Sequence, residues 1–147
     1  MNAYQVEARR WFQQAQADLE VVQTLREAGH HAAACFHGQQ AAEKALKSVL
    51  FARGARIILE HSVRELAGQC ESHDEIFATL AQEAALLDQF YIPTRYPNGL
   101  PSPAVPSETY TEAQAQAVQE AAKHIVGVVK AFLEKTIPQS NEESQRS

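Results

Sequence analysis

Five of the six prolines in this 147-residue chain fall between Tyr91 and Tyr110, in a sequence that otherwise has helical periodicity throughout. Proline has no backbone donor and its ring collides with the preceding turn, so no helix crosses this segment. The chain is thereby divided into helices before it and a helix after it. Connections between bundle helices usually take about 2 to 8 residues, and structureless ones beyond about 12 to 15 are uncommon unless functional or disordered. The composition does not match a solvated tether. Tyr91, Ile92, Tyr96, Leu100 and Val105 supply apolar anchors, and Pro93, Pro97, Pro101, Pro103 and Pro106 lower the entropy lost on ordering. An ordered flap presenting Arg95 is expected.

Before the prolines, apolar residues recur in steps of three and four. Tyr4, Ala8, Trp11, Phe12, Ala15, Leu19, Val22, Leu25 and Ala28 mark a first long amphipathic helix, with Gly29 as its C-terminal stop. A second runs from His30 or His31 to Ala52 and closes at Gly54. Ser62, with Glu65 three residues on, reads as the capping box of a short third helix containing Val63, Leu66 and Ala67. Ser72 and Glu75 repeat that signature for a fourth helix reaching Gln89, with Ile76, Phe77, Leu80, Ala84, Leu87 and Phe90 inward. Ser107 or Thr109 opens the last helix, which buries Ala113, Ala117, Ala121, Ile125, Val128, Val129 and Phe132 and ends near Thr136. No run alternates with period two. The fold class is therefore all-α, an up-and-down bundle of four to five helices with a long proline-rich loop before the last. The bundle occupies residues 1–137, and the polar tail 138–147 is expected to be disordered.

The net charge of -5 argues against sequence-independent nucleic-acid binding over the whole surface. The charges are unevenly placed, however. Lys44, Lys47, Arg53, Arg56 and Arg64 face only Glu60 between residues 44 and 64, whereas residues 71–91 hold five acids and no Lys or Arg. Such asymmetry makes a local anion-attracting patch, or simply two solvated helix surfaces. Cys35 and Cys70 match no zinc or redox spacing, and no apolar leader or membrane-length run appears, so a reducing cytoplasm is the expected location. His30, His31 and His37 lack the further ligands a zinc site needs, so no metal is expected.

The second helix carries a polar seam. His37, Gln40, Lys44 and Lys47 share one face, with Glu43 beside them at i, i+4 from Lys47. The seam is either a partly exposed stripe with one helix ion pair or a row of donors aimed at an anion. A nucleotide asks for cations at its phosphates and aromatic faces at its base. Lys44, Lys47 and Arg95 supply the first; Tyr91, Tyr96 and Tyr110 supply the second. Alternatively, Arg95 pins the loop to a carboxylate such as Glu43. No glycine-rich phosphate loop or nucleophile elbow is present.

Several segments carry a family resemblance in the right order. They are Trp11, Ala15, Asp18, Leu19 and Leu25; then Phe36, Gln39, Gln40, Ala41, Glu43, Lys44, Leu46 and Lys47; then His61, Ser62, Val63 and Leu66; then Tyr91, Pro93, Thr94, Arg95, Tyr96 and Pro97; and finally Tyr110 with the alanine-rich helix after it. From Trp11 to Phe132 this pattern resembles the HEPN domain. The resemblance implies a helical bundle that forms a homodimer and binds a nucleotide such as ATP, or RNA, without a metal cofactor. It also implies a minimal nucleotidyltransferase partner in a toxin-antitoxin-like pair. The candidate nucleotide- or anion-binding site, read from the residues themselves, comprises Gln40, Lys44, Lys47, Tyr91, Arg95 and Tyr96, supported by Glu43 and His61.

Some members of that family are metal-independent ribonucleases using an Arg and a His separated by about four to six residues. They need a cation for the phosphate transition state and a general acid or base. Here Arg95 is followed by Tyr96, Pro97, Asn98, Gly99, Leu100 and Pro101, with no histidine. Arg56 and His61 have the spacing but fall in a turn rather than in the motif's helical position. The expectation therefore leans away from an enzyme, leaving a toxin-type ribonuclease and a ligand-free structural dimer as the alternatives.

Overall fold

The computed structural model describes residues 1–138, and over these the chain is helical with no strand. Helix α1 spans Ala3–Glu27 and α2 spans His31–Ala52. Helix α3 is Val63–Glu71, followed by a 3-10 segment, Glu75–Leu80, that runs into α4, Ala81–Asp88. After the proline segment come a single turn, α5 (Pro106–Thr109), and the long α6, Glu112–Thr136. No helix among the described residues is long and apolar enough to cross a membrane. Of the expected disordered tail, 138–147, Pro138 is described, its carbonyl accepting from Arg9 (3.0 Å), and residues 139–147 lie outside the described residues.

The two glycine stops work as their chemistry requires. Gly29 (φ 82°) and Gly54 (φ 101°) take the left-handed conformation that L side chains disfavour. After α1, the His30 amide donates to the Leu25 carbonyl (2.8 Å) and Gly29 donates to Arg26 (3.0 Å). Ala55 to Leu50 and Gly54 to Phe51, both 3.0 Å, repeat this double bond after α2.

Three starts differ from the sequence expectation. Ser62 accepts from the Glu65 amide (3.1 Å), but its own amide is satisfied by Glu60 (2.9 Å) rather than by the Glu65 side chain. Ser72 caps nothing downstream: its hydroxyl donates to the Gln69 carbonyl, and Asp74 accepts from Ile76 (3.0 Å) to begin the 3-10 segment. Thr111, not Ser107 or Thr109, starts α6, through a reciprocal pair of bonds with Gln114. The tighter 3-10 winding aligns Phe77 with Leu80 on the buried side and turns Ile76 out to 42 % exposure. On α6 the buried stripe is Ala115, Val118, Ala122, Ile125, Val129 and Phe132, while Ala113 and Ala117 face solvent. Alanines at 113, 115 and 117 left the phase of that face open in the sequence.

Helix α2 is the axis of the bundle, with fifteen of its residues buried. It lies antiparallel to α1, since Trp11 stacks on Phe51 (5.1 Å) while Asp18 meets Lys44. Against α6 it approaches so closely at Gly38 that a β-carbon there would strike the Val118 side chain. The 53–62 connection runs back along α2, so α3 starts beside Gln39 and Glu43 and passes Leu46, whose carbonyl accepts from Cys70 (3.4 Å). The core closes with Phe77 edge-on to Phe132 (5.5 Å). Both cysteine thiols lie in it, and burial pushes each pKa up to about 12.

Candidate functional site

The return of the chain toward the middle of α2 gives the polar seam a second wall. Glu43 is 4 % exposed and Lys47 3 %. The Lys47 ammonium donates to Glu43 Oε2 (3.1 Å) and lies 5.6 Å from the centre of the Trp11 ring. Gln39 Nε2 donates to Glu43 Oε1 (3.2 Å) and to the carbonyl of His61 (3.3 Å), and Gln40 donates to Gln39 (2.8 Å). His61 Nδ1 sits 3.4 Å from Glu43 Oε2. Two buried ions cost several kcal/mol each to desolvate, and here that cost is offset by mutual pairing plus amide bonds. The pair is legible from its i, i+4 spacing; its burial is not.

His61 connects this pair to the proline segment. Its ring stacks on Tyr91 at 5.3 Å and 14°. The Tyr91 carbonyl in turn accepts from Arg95 Nε (3.1 Å). The Arg95 guanidinium lies over three rings, Phe36 at 4.5 Å, Tyr91 at 4.7 Å and Tyr96 at 5.0 Å. Each such contact contributes about 0.5 to 2 kcal/mol depending on desolvation. Among the described residues the guanidinium has no carboxylate partner, and its two terminal nitrogens make no hydrogen bond. No ion pair joins it to Glu43; the rings, not a carboxylate, hold it.

The proline segment is ordered by its own bonds. The buried Thr94 hydroxyl donates to the Phe90 carbonyl (2.6 Å), and the amides of Arg95 and Tyr96 both donate to Ile92. Pro97 and Pro106 each begin a helical turn, where the missing donor is not needed. The result leaves a cleft of about 460 Å3 between this segment and the first turn of α2, lined among others by His31, Phe36, Thr94, Arg95 and Ser107.

The structure thus brings Glu43, Lys47, His61, Tyr91, Arg95 and Tyr96 into one continuous line of contacts. Gln40 joins it only through Gln39. Lys44 does not: it points to α1 and pairs with Asp18 at 2.6 Å, a carboxylate also bonded by Gln14. Tyr110 packs inward beside Phe90 (5.7 Å), and burial together with nearby Cys35 raises its phenol pKa. Two residues absent from the candidate site read from the sequence are Phe36, named there only in the family pattern, and Asp88. The Asp88 carboxylate accepts from Ser62 Oγ (2.7 Å), the Val63 amide (2.6 Å) and the Arg64 amide (3.3 Å), fixing the start of α3 beside His61. Nothing local to Asp88 signals this; its partners are 24 to 26 residues away.

The model of the HEPN domain matches residues 8–135. The protein TT1696 from Thermus thermophilus is 35 % identical, with a TM-score of 0.78 over 84 % of this chain and 96 % of that one. The structure described as ST0689, an archaeal HEPN homologue, is 33 % identical, with a TM-score of 0.70 over 86 % of this chain and 98 % of its own. A Methanocaldococcus jannaschii protein named "Putative toxin MJ1304" is 28 % identical over 133 residues, covering 86 % of this chain and 88 % of the relative.

Proposed function

The chain belongs to the HEPN domain family, and from that membership we propose that it is a toxin-like, nucleotide-binding module of the cytoplasm. It acts as a homodimer beside a minimal nucleotidyltransferase. The name of the Methanocaldococcus relative supports the toxin-like part. The observation that carries the binding part is Arg95, a cation held rigid between three aromatic rings with its terminal nitrogens uncommitted. Such a group offers a phosphate two parallel donors with little ordering cost left to meet. Tyr91 and Tyr96 are the aromatic faces, and His61 holds Tyr91 in place. Lys44 and Lys47 are each matched by a carboxylate and stand outside the phosphate contact.

The test is a titration of the purified chain with ATP, alongside incubation with structured and unstructured RNA. Saturable nucleotide binding that Arg95→Ala weakens, with intact RNA, is the expected result. RNA cleavage abolished by Arg95→Ala or His61→Ala would instead make the chain a ribonuclease. A lowered melting temperature with no binding signal in either protein would leave Arg95 a purely structural residue.

A further inference from the structure

Resting on the nucleotide-binding reading above, we infer that the cleft between the proline segment and the start of α2 takes a nucleoside monophosphate in preference to a triphosphate. Its volume, about 460 Å3, falls in the range of small-ligand sites. Ala32, Ala33, Phe36, Val105 and Pro106 give it apolar surface fit for a base and sugar edge. Among them stand two polar groups, Arg95, with its free guanidinium nitrogens, and the Ser107 hydroxyl.

Two further observations point to an anion there. The first turn of α2 opens into the cleft, and its N-cap, His30, makes no side-chain capping bond, so the amides of a 22-residue helix begin without a side-chain acceptor. That end carries the equivalent of about half a positive charge. No Asp or Glu lines the cleft.

The count of cations selects the ligand. One guanidinium and one helix end balance a single phosphate monoester. The second and third phosphates of a triphosphate would find no further Lys or Arg in the lining of the cleft. Extra anionic charge then brings desolvation without a matching partner.

Calorimetric titration of the full chain with AMP, ATP, adenosine and inorganic phosphate tests this. AMP should bind saturably, about tenfold or more tighter than any of the other three, the size expected for one well-placed charge-assisted contact. Arg95→Gln should weaken AMP about tenfold. Val105→Glu, at a position 37 % exposed and so harmless to the core, should do the same by placing a carboxylate in the cleft. Lys44→Gln should leave AMP binding unchanged. ATP binding as tightly as AMP would overturn the monophosphate assignment while leaving nucleotide binding in place, and inorganic phosphate binding as tightly would remove the nucleoside from it. AMP binding indifferent to both cleft variants would put the site elsewhere. If neither AMP nor ATP binds, this inference and the reading it rests on fail together.

Discussion

Replacing Asp88 with alanine removes one carboxylate that holds three groups of another helix. The Val63 amide is the costly loss: Val63 is fully buried, so its donor, now bonded at 2.6 Å, regains little water. A charge-assisted bond of this kind contributes about 1.5 to 3 kcal/mol. The Arg64 amide is exposed and bonded at 3.3 Å, so it rehydrates at almost no cost, and Ser62 keeps its own bond to the Glu65 amide. Asp88 also ends α4, where its charge opposes its own helix dipole; removing it returns about 0.3 to 1 kcal/mol. The net expectation is a loss of about 0.5 to 2.7 kcal/mol, and a melting temperature lowered by roughly 1.5 to 8 °C for a chain of this size. Asp88→Asn keeps a neutral acceptor and should lose about half as much. Thermal and urea denaturation followed by circular dichroism give both values, and amide exchange at Val63 locates the change. A fall of less than about 1 °C in the alanine variant, or exchange at Val63 no faster than in the parent, would refute the cross-helix cap.

Lys47→Met leaves the Glu43 carboxylate buried without its cation and should cost about 3 to 5 kcal/mol, most of it recovered in Glu43→Gln/Lys47→Met; a double-mutant cycle in urea measures the coupling. Gly38→Ala drives a β-carbon into Val118 and should destabilise by about 1 to 3 kcal/mol despite alanine's better helix propensity, with Val118→Ala restoring much of the loss by the same unfolding measurement. The Ile76 amide first and Lys135 second hold the Asp74 carboxyl below its ordinary range. Its contribution is therefore present above the unfolded carboxyl pKa and is lost as pH falls through the lower folded value; an NMR titration should show the Asp74 pKa rising in Lys135→Met. Cys35 and Cys70, with pKa values pushed up to about 12 by burial, should resist a thiol reagent at pH 8 until denaturant is added, as counted by the released chromophore.

Features whose causes lie within a turn or two of chain were legible before any packing was known. Gly29 and Gly54 stop their helices because the bonds they complete reach back no further than five residues. Ser62 caps α3 through an amide three residues on, and the Glu43–Lys47 pair follows from helix pitch. The all-helical class and the break at the prolines rest on the same local physics. Which faces meet was settled by the assembled bundle alone. Lys44 is claimed by Asp18 and Val63 by Asp88, across 26 and 25 residues. Arg95 is caged by Phe36 from α2, and α6 turns Val118 rather than Ala117 toward α2, where it meets Gly38. Such choices depend on the summed packing of whole helices. A cation's spacing along the chain shows that it can reach a carboxylate, and only the packed helices select which anion, ring or open cleft it finds.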